Sequence, residues 1–175
     1  MKLSELMKEV SLKTAFAGGL THNDMVLAIN TTPGTETPVS DYAVLQIYIE
    51  GTEAELNPET SDKTFIRTGK STNKTSTQRT FSVTGERYVG DAAQDFIFSH
   101  DIKFGTGAKV VTDYVYFDMI TGKGEKGTVM IAVNTDGGGD ASTGLEIDVD
   151  LMQNGAAPTE FNWSSETTAA SETNN

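Results

Sequence analysis

Three carboxylates recur at every second position in the run LEIDVDL: Glu146, Asp148 and Asp150. In a strand, that spacing puts them on one face, about 6.5–7 Å apart. Leu145, Ile147, Val149 and Leu151 take the opposite face. Like charges in a row cost stability, so the chemistry open to such a face is electrostatic. It is either a solvated outer face with lysines opposite or a surface that repels a polyanion. Other constellations offer less. His22 and His100 lie far apart in polar company, and neither has a nucleophile at a recognised spacing. Asn134, Asp136 and Asp140 surround three glycines in the manner of an oxygen-rich calcium loop. Their spacing departs from the EF-hand pattern and no bidentate glutamate closes it, so a glycine turn without metal is expected. GTGAK lacks the remaining phosphate-loop spacing. With no cysteine there is no thiolate, disulfide or thiolate metal cage. Neither an enzyme nor a cofactor-binding protein is expected.

The net charge of −12 over 175 residues argues against tight binding to a nucleic-acid backbone or an anionic membrane. Glu5, Lys8 and Glu9 interrupt the start before it could form the apolar core of a signal peptide. No stretch approaches the roughly 20 apolar residues of a spanning helix. A soluble chain that stays inside the cell is expected.

The elements that would hold the acid row are mostly strands. Residues 80–99 form the joint of the chain. Phe81 and Val83 alternate with Thr80, Ser82 and Thr84, as a half-buried strand requires. Gly85 and Gly90 then punctuate the backbone. Asp91 stands where a helix N-cap belongs, before Ala92, Ala93 and Gln94. This predicts one flanking helix over about 91–99. Tyr42–Glu50 reads as a single strand with Ala43, Leu45, Ile47 and Ile49 on one face. Residues 109–119 read as a strand apolar on both faces, hence covered on both sides. TGKGEKG reads as a hairpin turn before the strand TVMIAVNT, and NTDGGGD as a second turn. Residues 52–75 are polar and read as a long loop, with a brief strand over 64–68. Residues 1–40 read as an N-terminal arm with little core of its own, 41–163 as the main domain, and 164–175 as a disordered tail. The fold class is therefore mainly β: an antiparallel β-sandwich or barrel with one flanking α-helix.

The run FSVTGERYVGDAAQDFIF resembles the strand, G-x-R, GD-x-x-QD, aromatic signature of the major tail tube proteins of long-tailed (siphovirus-type) phages of Gram-positive bacteria. Gly85, Arg87, Gly90, Asp91, Gln94 and Asp95 carry it. Further pieces follow in the family's order: the strand ending IEG, the polar loop, the lysine- and threonine-rich stretch, KVVTDYVYFD with its hairpin, the acidic last strand and QNGAAPTEF. The turn NTDGGGD is richer in glycine than the family pattern, and GAAP carries an extra residue. The resemblance implies a tail-tube-like fold and a homo-hexamer that stacks into a tube around a tape-measure protein. Tail terminator and tail-tip or initiator proteins would be further partners. DNA would pass through without specific binding, and the product would sit in the virion tail after assembly in the host cytoplasm. It implies that Glu146, Asp148 and Asp150 face the lumen. The loop, with Glu53, Glu55, Asn57 and Lys63, and the arm would carry ring-to-ring contacts. The alternative is a β-sandwich module that binds carbohydrate or protein on a virion or cell surface. It would need an exposed aromatic platform, for which Trp163 and Tyr114 or Tyr116 are the candidates.

Overall fold

The structure, a computed structural model, describes residues 1–163. The tail at 164–175 lies outside the described residues. In chain order the elements are α1 (Leu3–Met7), β1 (Met25–Ile29), β2 (Ala43–Val44), β3 (Ile49–Glu55), β4 (Pro58–Phe65), β5 (Gly69–Thr77) and β6 (Thr80–Glu86). Then come α2 (Ala92–Ile97), α3 (His100–Lys103), β7 (Val111–Asp118), β8 (Lys123–Gly138), β9 (Glu146–Gln153) and β10 (Thr159–Asn162). The main sheet runs β2-β1-β7-β8-β9-β6-β3, with β10 also on β8. Each of its pairings is antiparallel. The mainly β, antiparallel architecture is the one the sequence predicts.

The two edge strands, β2 and β3, are neighbours in sequence. Four residues, 45–48, carry the chain from one edge of the curled sheet to the other. The expected single strand Tyr42–Glu50 is therefore broken. Its alternation is real, since Ala43 and Leu45 are buried in the core and Ile49 packs against it. Those side chains reach the core from opposite edges, so the backbone between them must turn. Tyr48 takes a left-handed φ of 57° there. Its carbonyl accepts from Glu86 N at 2.8 Å.

Two cores form on the two faces of the sheet. The inner one gathers Leu27, Ile29, Phe81, Val83, Tyr114, Ile131, Val149 and Leu151 under Ile97 and Ile102 of the helices. The outer one joins Leu3 and Met7 of α1 to Val26, Ala28, Val115, Phe117 and Phe161. β1 and β7 are thus covered on both sides, as the apolar pattern of 109–119 predicts. The expected arm contributes more core than its composition suggests. Leu3 is fully buried, and Val26 to Ile29 are all buried. With β7 along one side, β2 at its end and cores on either face, only Met25 of β1 keeps some exposure.

Three local expectations change. Residues 52–75 are not an irregular loop: β3 continues to Glu55, and β4 and β5 pair in a hairpin of their own. Threonines at 60, 64, 72, 75 and 77 suit a strand, and polar residues fill both faces because neither faces a core. The turn expected at TGKGEKG is earlier and tighter, at Gly122 with φ 76°. Gly124 lies inside β8, where a Cβ would fall 2.1 Å from the Tyr116 carbonyl oxygen. Close strand approach, not turning, demands that glycine. The helix expected over about 91–99 is α2, and a second short helix, α3, follows it at His100–Lys103.

Candidate functional site: an acidic sheet face and the knot beside it

The strand register places the acid row. Asp150 pairs with Ser82, Asp148 with Thr84 and Glu146 with Glu86. On the far side of β6, Ser82 pairs with Glu53 and Thr80 with Glu55. Directly paired residues in an antiparallel ladder project to the same face. Six carboxylates, Glu53, Glu55, Glu86, Glu146, Asp148 and Asp150, therefore share one face of β3, β6 and β9. Phe81, Val83, Ile147, Val149 and Leu151 lie buried on the other.

The lysines of the plain surface reading do not stand opposite. On the β8 side, Asp150 meets Ala132, Asp148 meets Thr135 and Glu146 meets Gly138. Neutral donors hold the acids instead. Asn134 Nδ2 donates to Asp150 Oδ2 at 2.8 Å and to Asp148 Oδ1 at 3.3 Å, and Ser82 Oγ donates to Asp150 Oδ1. Hydrogen bonds of this kind orient a carboxylate and leave its charge in place. Glu86 and Glu146 face each other as like charges, an arrangement that destabilises a sheet. Among the described residues, no group of three His, Cys, Asp or Glu side chains is placed to hold a metal. Of the glycine-turn acids, Asp136 is taken by Lys103 Nζ at 2.9 Å. That bond holds its carboxyl below the ordinary range. The face can repel anions and attract counterions; no proton-transfer pair is built into it.

The six motif residues come together at one end of this sheet. Gln94 is almost fully buried. Its Oε1 accepts from Tyr88 N at 2.8 Å, and its Nε2 donates to the Ile47 carbonyl at 2.7 Å. Asp91 Oδ1 caps α2 by accepting from Gln94 N at 3.0 Å. Arg87 donates to Asp95 Oδ1 at 2.5 Å and lies over the Phe98 ring, and Asp95 Oδ2 also accepts from Gly90 N at 3.0 Å. Gly90 has φ 101°. A Cβ on Gly85 would fall 2.2 Å from the Tyr48 carbonyl oxygen. The motif is thus a structural knot. It ties the helix to the 45–48 crossing and to the end of β6.

The four expected inter-ring residues separate. Glu53 and Glu55 are on β3 and belong to the acid face. Their spacing of two, in IEGTEAE, is the same signal that marks the row on β9. Asn57, with φ 39°, donates to the Gln78 carbonyl at 3.3 Å and so closes the root of the β4–β5 hairpin. Lys63 stands exposed on β4 opposite Ser71.

A half-buried ion pair went unmarked in the sequence because its partners lie 46 residues apart. Arg79 Nε donates to Glu125 Oε1 at 2.5 Å and Nη2 to Oε2 at 2.8 Å. Tyr114 OH donates to the same carboxylate at 3.0 Å. Burial, and then Glu125, push the Tyr114 phenol well above its ordinary value. The Glu125 hydrogen bond raises Arg79. The aromatic platform of the binding-module reading is spent on packing. Tyr114 is fully buried, Tyr116 meets Phe81 edge-on, and Trp163 stacks on Phe117 with centroids 6.1 Å apart.

No protein-family model and no curated protein matches this sequence. Solved structures do match. One is a chain from the tail of an empty gene transfer agent particle with C6 symmetry. It aligns at TM-score 0.56 and 15% identity, covering 82% of this chain and 99% of that one. Another is from the virion of a native gene transfer agent particle, at TM-score 0.54 and 13% identity, covering 81% and 98%. At this identity the likeness is one of fold. This chain folds as those tail-particle proteins do.

Proposed function

We propose that the chain is the structural subunit of a tail tube of the long-tailed phage type. Six copies form a ring, and rings stack around a tape-measure protein into a hollow conduit for DNA. The observation that carries this reading is the acid face. Six carboxylates without an opposing cation among the described residues lie on a sheet whose β3 edge is unpaired there, while residues 1–3 pair along the edge of β2. An open edge is an aggregation liability in a monomer and a joint in an assembly. Neighbouring copies that continue the sheet would close it into a wall. The acid face would line the bore, where it repels a polyanion and keeps it moving. The C6 symmetry of the gene transfer agent tail supports the hexamer. The β4–β5 hairpin and the N-terminal segment would reach the adjacent rings. Terminator and tail-tip initiator proteins would cap the tube, in a virion assembled in the host cytoplasm. Its part would be mechanical and electrostatic rather than catalytic.

Electron microscopy of the concentrated protein tests the reading. Rings or tubes with sixfold symmetry are expected. A chain that stays monomeric under every condition, with the tail initiator present, would overturn it.

A further inference from the structure

The β4–β5 hairpin has no core of its own. Nearly every residue from Pro58 to Thr77 is exposed. A two-stranded hairpin alone in water is marginal at best. Its tip departs from ordinary turn chemistry, which favours Gly, Asn, Asp, Ser and Pro. Phe65 pairs with Gly69, and Ile66 stands at the reversal, 94% exposed. Around these two apolar side chains lie Lys63, Arg67, Lys70 and Lys74, against only Glu59 and Asp62. The hairpin is thus a net cation on a chain whose net charge is −12.

The opposite end of the sheet carries the complement. The hairpin leaves the sheet where Glu55 pairs with Thr80. At the other end of β6, about 20 Å away at strand rise, Tyr48 and Tyr88 stack with ring centroids 5.3 Å apart. Val89 follows Tyr88, and Arg87 N bonds the Leu145 carbonyl at 2.8 Å, which brings Leu145 alongside. All four of these large side chains are exposed, Val89 at 79%. Glu50, Glu86 and Glu146 line the adjoining cleft.

We propose that this aromatic patch is the socket for the hairpin tip of a second copy of the chain. Phe65 and Ile66 seat against Tyr48, Tyr88, Val89 and Leu145, while Lys63 and Arg67 meet the acidic rim. The inference rests on the tube reading and deepens it by naming the receiving surface. Plug and socket sit at opposite ends of one molecule, so a copy cannot fill its own. Such a contact is heterologous, and where its rotation does not close a ring it repeats from copy to copy into a stack. It also accounts for why the knot is built as it is. Gly85, Gln94 and the left-handed Tyr48 hold the socket's floor rigid.

The absence of cysteine makes the test direct. Ile66→Cys and Val89→Cys chains are purified separately, mixed in equal amounts, concentrated to assemble and treated with a short bis-maleimide. A cross-linked dimer that dominates in the mixture and is at least tenfold weaker with either variant alone supports the proposal. Tubes that form with no excess of dimer in the mixture overturn the socket and leave the tube reading standing. Failure of the unaltered chain to form rings or tubes overturns both. As a second arm, Ile66→Asp is expected to raise the assembly concentration at least tenfold with an unchanged Tm. Assembly at the unaltered chain's concentration would contradict the proposal.

Discussion

The same sheet presents two different outer faces. On β1 and β7 the outward residues are Val26, Ala28, Val115 and Phe117, and α1 and Phe161 cover them. On β3, β6 and β9 the outward residues are Glu53, Glu55, Glu86, Glu146, Asp148 and Asp150, and no element of the described residues lies over them. The inward side is alike in both halves and packs on one continuous core. The period of two is equally strict in both, so it does not decide which face is exposed. What decides is the chemistry of the outward positions. One half buries them for stability. The other keeps like charges in register, which opposes stability. A stretch that works against its own fold is where a reason outside the fold should be sought.

The contrast can be broken from either side. The largest effect is expected in the covered half. Phe117→Ala removes a fully buried ring from the outer core and should cost about 4 kcal/mol. Denaturant titration would show it as a large fall in midpoint. Next is the ion pair that closes the inner core. Arg79→Ala leaves Glu125 and the Tyr114 hydroxyl with a half-buried, uncompensated negative charge. About 2–3 kcal/mol should be lost, discounted because Glu125 keeps some exposure.

Tyr114 adds a pH dependence. Its folded pKa is raised above the ordinary 10.0. The unfolded chain therefore releases that proton first as pH rises. The stability tied to the neutral phenol is complete below pH 10 and declines above it. Tyr114→Phe should flatten the alkaline limb of a Tm-against-pH curve; an unchanged limb would reassign that dependence to another group.

Smaller effects are expected at the knot and the acid face. Asp91→Ala removes the α2 cap and should cost about 1 kcal/mol, read by thermal melting. Glu146→Lys places a cation opposite Glu86, so stability should rise by about 0.5 kcal/mol. The same change should impair DNA passage through assembled tubes. A gain in stability with a loss of function is the signature of a functional surface. A gain with undiminished infectivity would make the row ordinary.

Much of this was legible in local pattern. The alternation in LEIDVDL marks β9 and its two faces. Asp91 before two alanines marks the start of α2. The mixed apolar pattern of 109–119 marks a doubly covered strand. Other features depend on contacts distant in sequence. Nothing local at Gln46–Tyr48 shows that the chain crosses between sheet edges, because the apolar alternation continues through the crossing. Composition likewise hides that β1 lies inside the sheet, since five apolar residues read alike at an edge and at a centre. The β4–β5 hairpin escapes notice because both its faces are polar. Glu53 and Glu55 look like loop charges until the register with β6 sets them beside Asp150. The Arg79–Glu125 pair is made only by the fold.

The central claim concerns where the acid face points, and a cryo-electron microscopy map of tubes grown from the purified protein tests it most directly. The account predicts a sixfold wall in which neighbouring chains continue one another's sheet at the open edge of β3, with Glu53, Glu146, Asp148 and Asp150 around the bore. A map with those carboxylates on the outside of the tube, or with the β3 edge unpaired between chains, would contradict it.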